Sequence, residues 1–162
     1  MIDRTKRIWI GASVALIALV IVLVLVLGQK DQAAEDGSLE GKGPVVELVF
    51  QDGELRALPV SDFNQLLADS ELPVFVDFWA AWCGPCRTAA PFIDTLPQTF
   101  AGQARVVKVD VDNAQVIARD YGVQSIPLFV LFDQGDVADY AVGYGDGSED
   151  ILTEMITNRV QP

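Results

Sequence analysis

The chain of 162 residues contains no histidine and only two cysteines, Cys83 and Cys86. Without imidazole there can be no Ser-His-Asp triad, no Cys-His protease pair and no imidazole proton shuttle, because each needs a group that titrates near neutrality. Two thiolates supply half of a tetrahedral zinc shell, and there is no second cysteine pair to complete it, so no metal site is expected. Cations are also scarce, with 11 Lys and Arg against 23 Asp and Glu and a formal net charge of −12. Nucleic-acid binding relies on clustered Lys and Arg releasing counterions from phosphates, so no nucleic-acid partner is expected. Internal repeats and low-complexity tracts are absent too.

What the chain does have in excess is apolar residues, 51% of the total, and one segment raises that figure. IWIGASVALIALVIVLVLVL, residues 8–27, is 20 positions without a charge. A helix of that length, at about 1.5 Å per residue, crosses a hydrocarbon core roughly 30 Å thick. Arg4, Lys6 and Arg7 precede the run, whereas Lys30 beyond it is soon outnumbered by Asp31, Glu35 and Asp36. Positive flanks stay inside, which predicts a single-pass anchor in the inner (cytoplasmic) membrane. Residues 1–7 are then a cytoplasmic flank, and the remainder faces the periplasm or the outside of the cell. A cleaved signal peptide fits less well, because its apolar region is usually about 7 to 15 residues and is followed by a small-x-small site.

Residues 28–44, GQKDQAAEDGSLEGKGP, are polar and rich in glycine, and read as a flexible linker. Beyond residue 30 there are 7 basic and 22 acidic side chains, a balance that repels anionic lipid head groups. Residues 45–162 read as one α/β domain. VVELVF predicts a strand, followed by an Asp52-Gly53 turn and a short partner strand. Ser61 is placed to cap a helix that carries Phe63, Leu66 and Leu67 on one face. PVFVDFW is almost wholly apolar, as in a central strand covered on both sides. A helix is predicted from Gly84 to about Phe100, interrupted at Pro91. RVVKVDVD alternates as a strand, and a helix over 113–121 stops at Gly122. LFVLF and DVADYAV form a hairpin around Gln134-Gly135, and Ser148 is placed to cap a last helix with Glu149 and Asp150 in its first turn.

Both cysteines fall where the apolar strand ends and the long helix begins. Pro85 suits the start of a helix, where no N–H donor is needed. Residues three apart share a helical face, so the two sulfurs can form and break a disulfide with little backbone movement. The first sulfur lies at the positive end of the helix dipole, which favours thiolate and makes Cys83 the expected nucleophile. Cys86, one turn in, is expected to be the more buried, and to attack a mixed disulfide on Cys83 and release the reduced substrate.

VDFWAAWCGPC, followed in order by KVDVD, YGVQSIP, LFVLFDQGDV and the glycine of AVGY, resembles the thioredoxin family over roughly residues 44–162. The resemblance implies a thioredoxin fold, a mixed central sheet flanked by helices, here preceded by one transmembrane helix. It implies catalysis by the Cys83-Cys86 pair with no cofactor, and a buried Asp77 that relays the proton of Cys86. An unpaired carboxylate in an apolar run costs several kcal/mol, and its raised pKa would let it hold and release a proton. Lys108 matches a lysine beside that aspartate and would support the proton relay, with an exposed strand lysine as the alternative. Ile126-Pro127 matches a cis-proline dipeptide facing the disulfide. Together with Trp82, Gly84, Pro85 and Gly143 it would form the substrate-docking surface, while Trp79 reads as core. Leu128 stands where the family commonly has threonine, which makes the groove more apolar.

Gly84-Pro85 between the cysteines is the reducing-type dipeptide, and it lacks the histidine that would stabilise a thiolate there. The expectation is a membrane-tethered reductase of protein disulfides, fed by a membrane electron donor and serving, for example, thiols for haem attachment. A disulfide oxidase or isomerase on the same fold is one alternative. An interaction module that only docks partners is another, though docking alone has no need of two thiols.

Overall fold

A computed structural model describes residues 43–160. The flank at 1–7, the apolar run at 8–27 and the linker up to residue 42 lie outside the described residues. Among the described residues no helix is long and apolar enough to cross a membrane.

Six strands form one sheet: β1 (Val45–Gln51), β2 (Glu54–Pro59), β3 (Val74–Trp79), β4 (Arg105–Asp110), β5 (Leu128–Asp133) and β6 (Asp136–Val142). Their spatial order is β2-β1-β4-β3-β5-β6, so β3 lies at the centre. Only the β3–β4 pair is parallel, and every other pair is antiparallel. The helices are α1 (Phe63–Asp69), α2 (Gly84–Ile93), α3 (Leu96–Thr99), α4 (Gln115–Asp120) and α5 (Ser148–Thr157).

Both faces of the sheet are covered, which is why β3 carries an unbroken apolar run. On one face Phe75, Val106, Phe129 and Leu131 pack against Ala89 and Ile93 of α2 and Leu152 and Ile156 of α5. On the other, Val74, Val76, Phe78, Val107 and Val130 pack against Phe63, Leu66 and Leu67 of α1. Phe75, Val76 and Phe78 are wholly buried, and each such side chain contributes about 1.5–3 kcal/mol. The two tight hairpins follow from their turn residues. Asp52-Gly53 and Gln134-Gly135 both adopt positive φ at both positions, the geometry that matches the twist of paired strands.

Several boundaries differ from the sequence expectation. α1 is capped by Asp62, whose Oδ1 accepts from the Gln65 N–H at 2.9 Å, and not by Ser61. The adjacent residues have equal capping chemistry, and only the entry angle of the chain decides between them. The helix from Gly84 is not interrupted at Pro91, which sits inside α2; the break comes at Asp94-Thr95. Pro97 has no N–H to offer the carbonyl of Ile93, and the Thr95 hydroxyl takes the carbonyl of Phe92 at 2.7 Å, so the helical ladder ends there. α4 is shorter than 113–121 because Asp110 turns the preceding segment, accepting from Asp112 N and Asn113 Nδ2. Gly122, at φ 65°, does terminate α4. Gly147 at φ 79° precedes α5, while the Ser148 hydroxyl accepts from Gly145 N–H in the loop and does not cap the helix.

Candidate active site

The strand β3 hands the chain through Ala80-Ala81-Trp82 into α2, and Cys83 stands at the junction. Cys83 is the N-cap of α2, and its Sγ accepts from the Cys86 N–H at 3.2 Å. A sulfur there takes up one of the helix's orphan donors and sits at its positive end. Cys83 and Cys86 are joined in a disulfide with Cα atoms 5.3 Å apart. Gly84 and Pro85 are the first two helical residues, both exposed, so the bond is presented at a helix start whose second N–H is already absent. Arg87 ties this turn down by donating to the Ala81 carbonyl at 2.8 Å.

Cys83 and Cys86 are equally buried, each 4% exposed. The expectation that Cys86 would be the more buried is therefore corrected: with the bond closed, Ala80, Trp79, Val111 and Ile126 pack around both residues. The Ile126-Pro127 peptide bond is cis, and Ile126 packs against the cluster of Ala80, Cys83 and Cys86. Pro127 is buried, and its carbonyl accepts from the Gly143 N–H at 2.8 Å. Gly143 has φ 83°, and a Cβ there would meet nothing within 4 Å, so its backbone conformation and not crowding calls for glycine.

Trp82 is 67% exposed, and its indole N–H donates to Asp112 Oδ2 at 2.8 Å. This partner is missing from the sequence reading. The signal was the DVDN stretch after β4, where Asp110 folds a turn that presents Asp112.

A charged cluster is buried in an otherwise apolar layer, and it is linked to the cysteines through Trp79, which packs against them and receives Lys108 on its ring. Asp77 is 2% exposed, and its Oδ1 has no hydrogen-bond partner among the described residues. Burial pushes its carboxyl up to about 7; Lys108 opposes the rise and Asp94 adds to it. Lys108 is opposite Asp77 in the β3–β4 register, as the resemblance implied, and at 8% exposed it does not fit the alternative of an exposed strand lysine. Its aliphatic stem is covered, and Nζ lies 4.7 Å from the Trp79 ring centroid, a cation–π arrangement. Asp94, just past the end of α2, was not singled out from sequence. Its Oδ1 is also buried without a partner, and burial raises its pKa while Lys108 lowers it. Among the described residues no group of side chains could hold a metal ion.

Such a site can exchange disulfides and can hold or release a proton near neutrality. The thioredoxin family model matches residues 54–158, well over half of the chain. The chain belongs to the thioredoxin family. Thioredoxin 1 of Nostoc sp. is 47% identical over 83 residues, covering 51% of this chain and 78% of that protein. A thioredoxin of Synechocystis sp. is 48% identical over 86 residues, 52% of this chain and 80% of the relative. Among solved structures, a mutant thioredoxin from Halobacterium salinarum aligns with a TM-score of 0.55 at 35% identity, covering 64% of this chain and 87% of that one. The oxidised mitochondrial Thioredoxin 3 of Saccharomyces cerevisiae aligns at 0.54 and 31%, covering 59% and 86%. As a thioredoxin the chain is a thiol-disulfide oxidoreductase that works through its cysteine pair, without a cofactor, on protein disulfides.

Proposed function

We propose that this thioredoxin is tethered to a membrane, faces outward and reduces protein disulfides with electrons from a membrane donor. The observation that carries the chemistry is the Cys83 sulfur at the start of α2, bonded to Cys86, in a protein whose preceding strand holds a buried carboxylate, Asp77, with its pKa raised to about 7.

In the reduced protein, the Cys83 thiolate attacks one sulfur of the substrate disulfide. A new S–S bond forms to Cys83, and the other substrate sulfur leaves as a thiolate that takes a proton. Cys86 then gives its proton to Asp77, attacks the Cys83 sulfur and expels the second substrate thiolate. Two electrons pass to the substrate, and the Cys83–Cys86 disulfide is the oxidised product. Asp77 at about 7 is matched to this transfer, because it can accept the proton and return it. Lys108 limits how far that pKa rises. The exposed Trp82, Gly84 and Pro85 adjoin the cysteines in the chain, Ile126 packs against them, and Pro127 and Gly143 are bonded to each other next to Ile126; together they would receive an extended substrate.

The tether rests on the uncharged 8–27 run, its basic leading flank and the polar 28–44 linker. Reduction as the net direction rests on Gly84-Pro85. The full range between thioredoxin and the strongest oxidants is about 150 mV, or roughly 7 kcal/mol. Equilibrating the full chain with glutathione should give a potential near the thioredoxin value of about −270 mV, whereas one near −120 mV would assign the protein to the oxidases. In intact cells, a membrane-impermeant maleimide should label Cys83 after reduction. Labelling only after lysis would contradict the outward orientation.

A further inference from the structure

The edge of the sheet beside the disulfide has a second recognition feature. Among the described residues β6 has only β5 as a neighbour; exposed edges are ordinarily guarded by charge, which Asp136 and Asp139 supply on this strand. On β6, however, Val137, Tyr140 and Val142 are 57%, 66% and 58% exposed. Val137 and Tyr140 are three residues apart, so a regular strand would send them to opposite faces. The pairing shifts between Leu131, which faces Asp139, and Phe132, which faces Val137. This bulge leaves Ala138 out of register and turns Val137 to the side of Tyr140.

The three side chains form one wall of a trough of about 360 Å³, floored by Leu128 and Val130 and closed on the far side by Tyr121 and the segment leading to Ser125. Tyr121 is a fixed wall: its hydroxyl donates to Asn64 Oδ1 at 3.0 Å, and its ring packs edge-on at 5.4 Å from both Phe63 and Phe132. Among the described residues no charged side chain lines the trough, although acidic residues outnumber basic ones 22 to 7 beyond residue 30. Single exposed apolar residues need no explanation, but an aligned, uncharged set marks an interaction surface. At one end the trough runs into the disulfide's own face. Ser125 precedes Ile126-Pro127, and Val142 precedes Gly143, whose N–H holds the Pro127 carbonyl.

We infer that this trough is a subsite for the substrate polypeptide, in which an extended segment flanking the reacting cysteine lays aliphatic or aromatic side chains between Tyr121 and Tyr140. The inference rests on the oxidoreductase reading of Cys83 and Cys86. Continuity selects this occupant over a second copy of the chain. A substrate held at Cys83 already passes Ile126-Pro127, so its flank reaches the trough without a second association. The stretch from Val137 to Val142 spans roughly 16 Å at ~3.3 Å per residue, and every second residue of a chain laid along it faces the trough.

Two synthetic peptides test the inference, each with one cysteine and presented as its symmetric disulfide. One has leucine at alternating positions on both sides of the cysteine, and the other has serine there. The full chain is reduced with dithiothreitol, freed of it and mixed with each peptide. In each reaction the protein dithiol becomes the disulfide and the peptide disulfide becomes two thiols. Acid quench and mass spectrometry give the rates. The leucine peptide should be reduced roughly ten-fold faster, and Val137→Ser with Tyr140→Ser should bring the ratio of the two rates close to one. Because the ratio is read within one protein, it does not depend on the active fraction. A ratio near one in the unaltered chain, or a ten-fold ratio that survives in the double variant, overturns the subsite while the oxidoreductase reading stands. So does a ratio near one accompanied by a dimer that the double variant dissolves, which would seat a second copy in the trough. Failure to reduce either peptide, or the small disulfide 5,5′-dithiobis(2-nitrobenzoate), overturns the oxidoreductase reading itself.

Discussion

Strand β3 presents two different environments on its two faces. Val74, Val76 and Phe78 point into an apolar layer of valines, leucines and phenylalanines. Phe75, Asp77 and Trp79 point the other way, where Asp77 and Lys108 are buried among phenylalanines and valines, with Asp94 nearby. The first face is built only for stability. The second gives stability up by desolvating charged groups, and what it gains is a carboxyl poised near neutrality.

This contrast predicts opposite outcomes for substitutions one residue apart. Phe78→Ala should destabilise the protein by about 3–5 kcal/mol, equally at pH 5 and pH 8, as measured by denaturant unfolding of the full chain. Asp77→Asn should do the reverse. The folded carboxyl titrates at about 7 and the unfolded one near 3.8. Between those values the folded state holds more protons, so the parent protein loses stability as pH rises through the window. The full penalty, at about 1.4 kcal/mol per unit, is roughly 4 kcal/mol above pH 7. The variant escapes it, and should be more stable by up to that amount at pH 8 and no more stable below pH 4. It should also release trapped substrate at least about ten-fold more slowly at neutral pH, because Cys86 loses its proton acceptor. Equal stability of parent and variant at pH 8 would erase the contrast between the faces.

The neighbours of Asp77 sharpen the comparison further. Lys108→Met removes the cation that lowers the Asp77 pKa and should move the midpoint of the stability–pH curve to higher pH. Asp94→Asn removes a like charge and should move it to lower pH. Shifts in the same direction would contradict the electrostatic account. The smallest effect belongs to a charged pair outside both layers. Arg105 bonds Glu47 through Nε at 2.8 Å and a second guanidinium nitrogen at 2.7 Å. Both side chains are partly exposed, so Arg105→Gln should cost no more than about 1 kcal/mol and should leave the stability–pH midpoint of Asp77 in place.

The apolar face and the disulfide were legible in the sequence because each writes itself into adjacent letters. VFVDFW spells a doubly covered strand, and two thiols three apart at a strand-to-helix junction spell a reversible bond. Asp77 was legible for the same reason, as a single carboxylate in that run. Lys108 was harder, since RVVKVDVD alternates like a strand with one wet side, and its burial depends on the Trp79 ring that receives its head group. Asp94 and Asp112 are close to the site only through the helix end and the turn that carry them: no local pattern marks Asp94, and the DVDN stretch marks a turn at Asp112 without naming Trp82 as its partner. The trough was half legible: Leu128 announced an apolar groove, but the bulge that turns Val137 toward Tyr140 leaves no trace in DVADYAV. Capping choices between neighbours such as Ser61 and Asp62 were undetermined by chemistry alone.

The central claim is that Cys83, primed by the start of α2, is the attacking sulfur and Cys86 the resolving one. The most direct test is the iodoacetamide alkylation rate of each cysteine in the reduced full chain at pH 7, resolved by peptide mapping. Cys83 should react several-fold faster than free cysteine, of which only a few per cent is thiolate at that pH, and Cys86 should lag far behind. A Cys83 rate no greater than that of free cysteine, or a faster Cys86, would contradict the account.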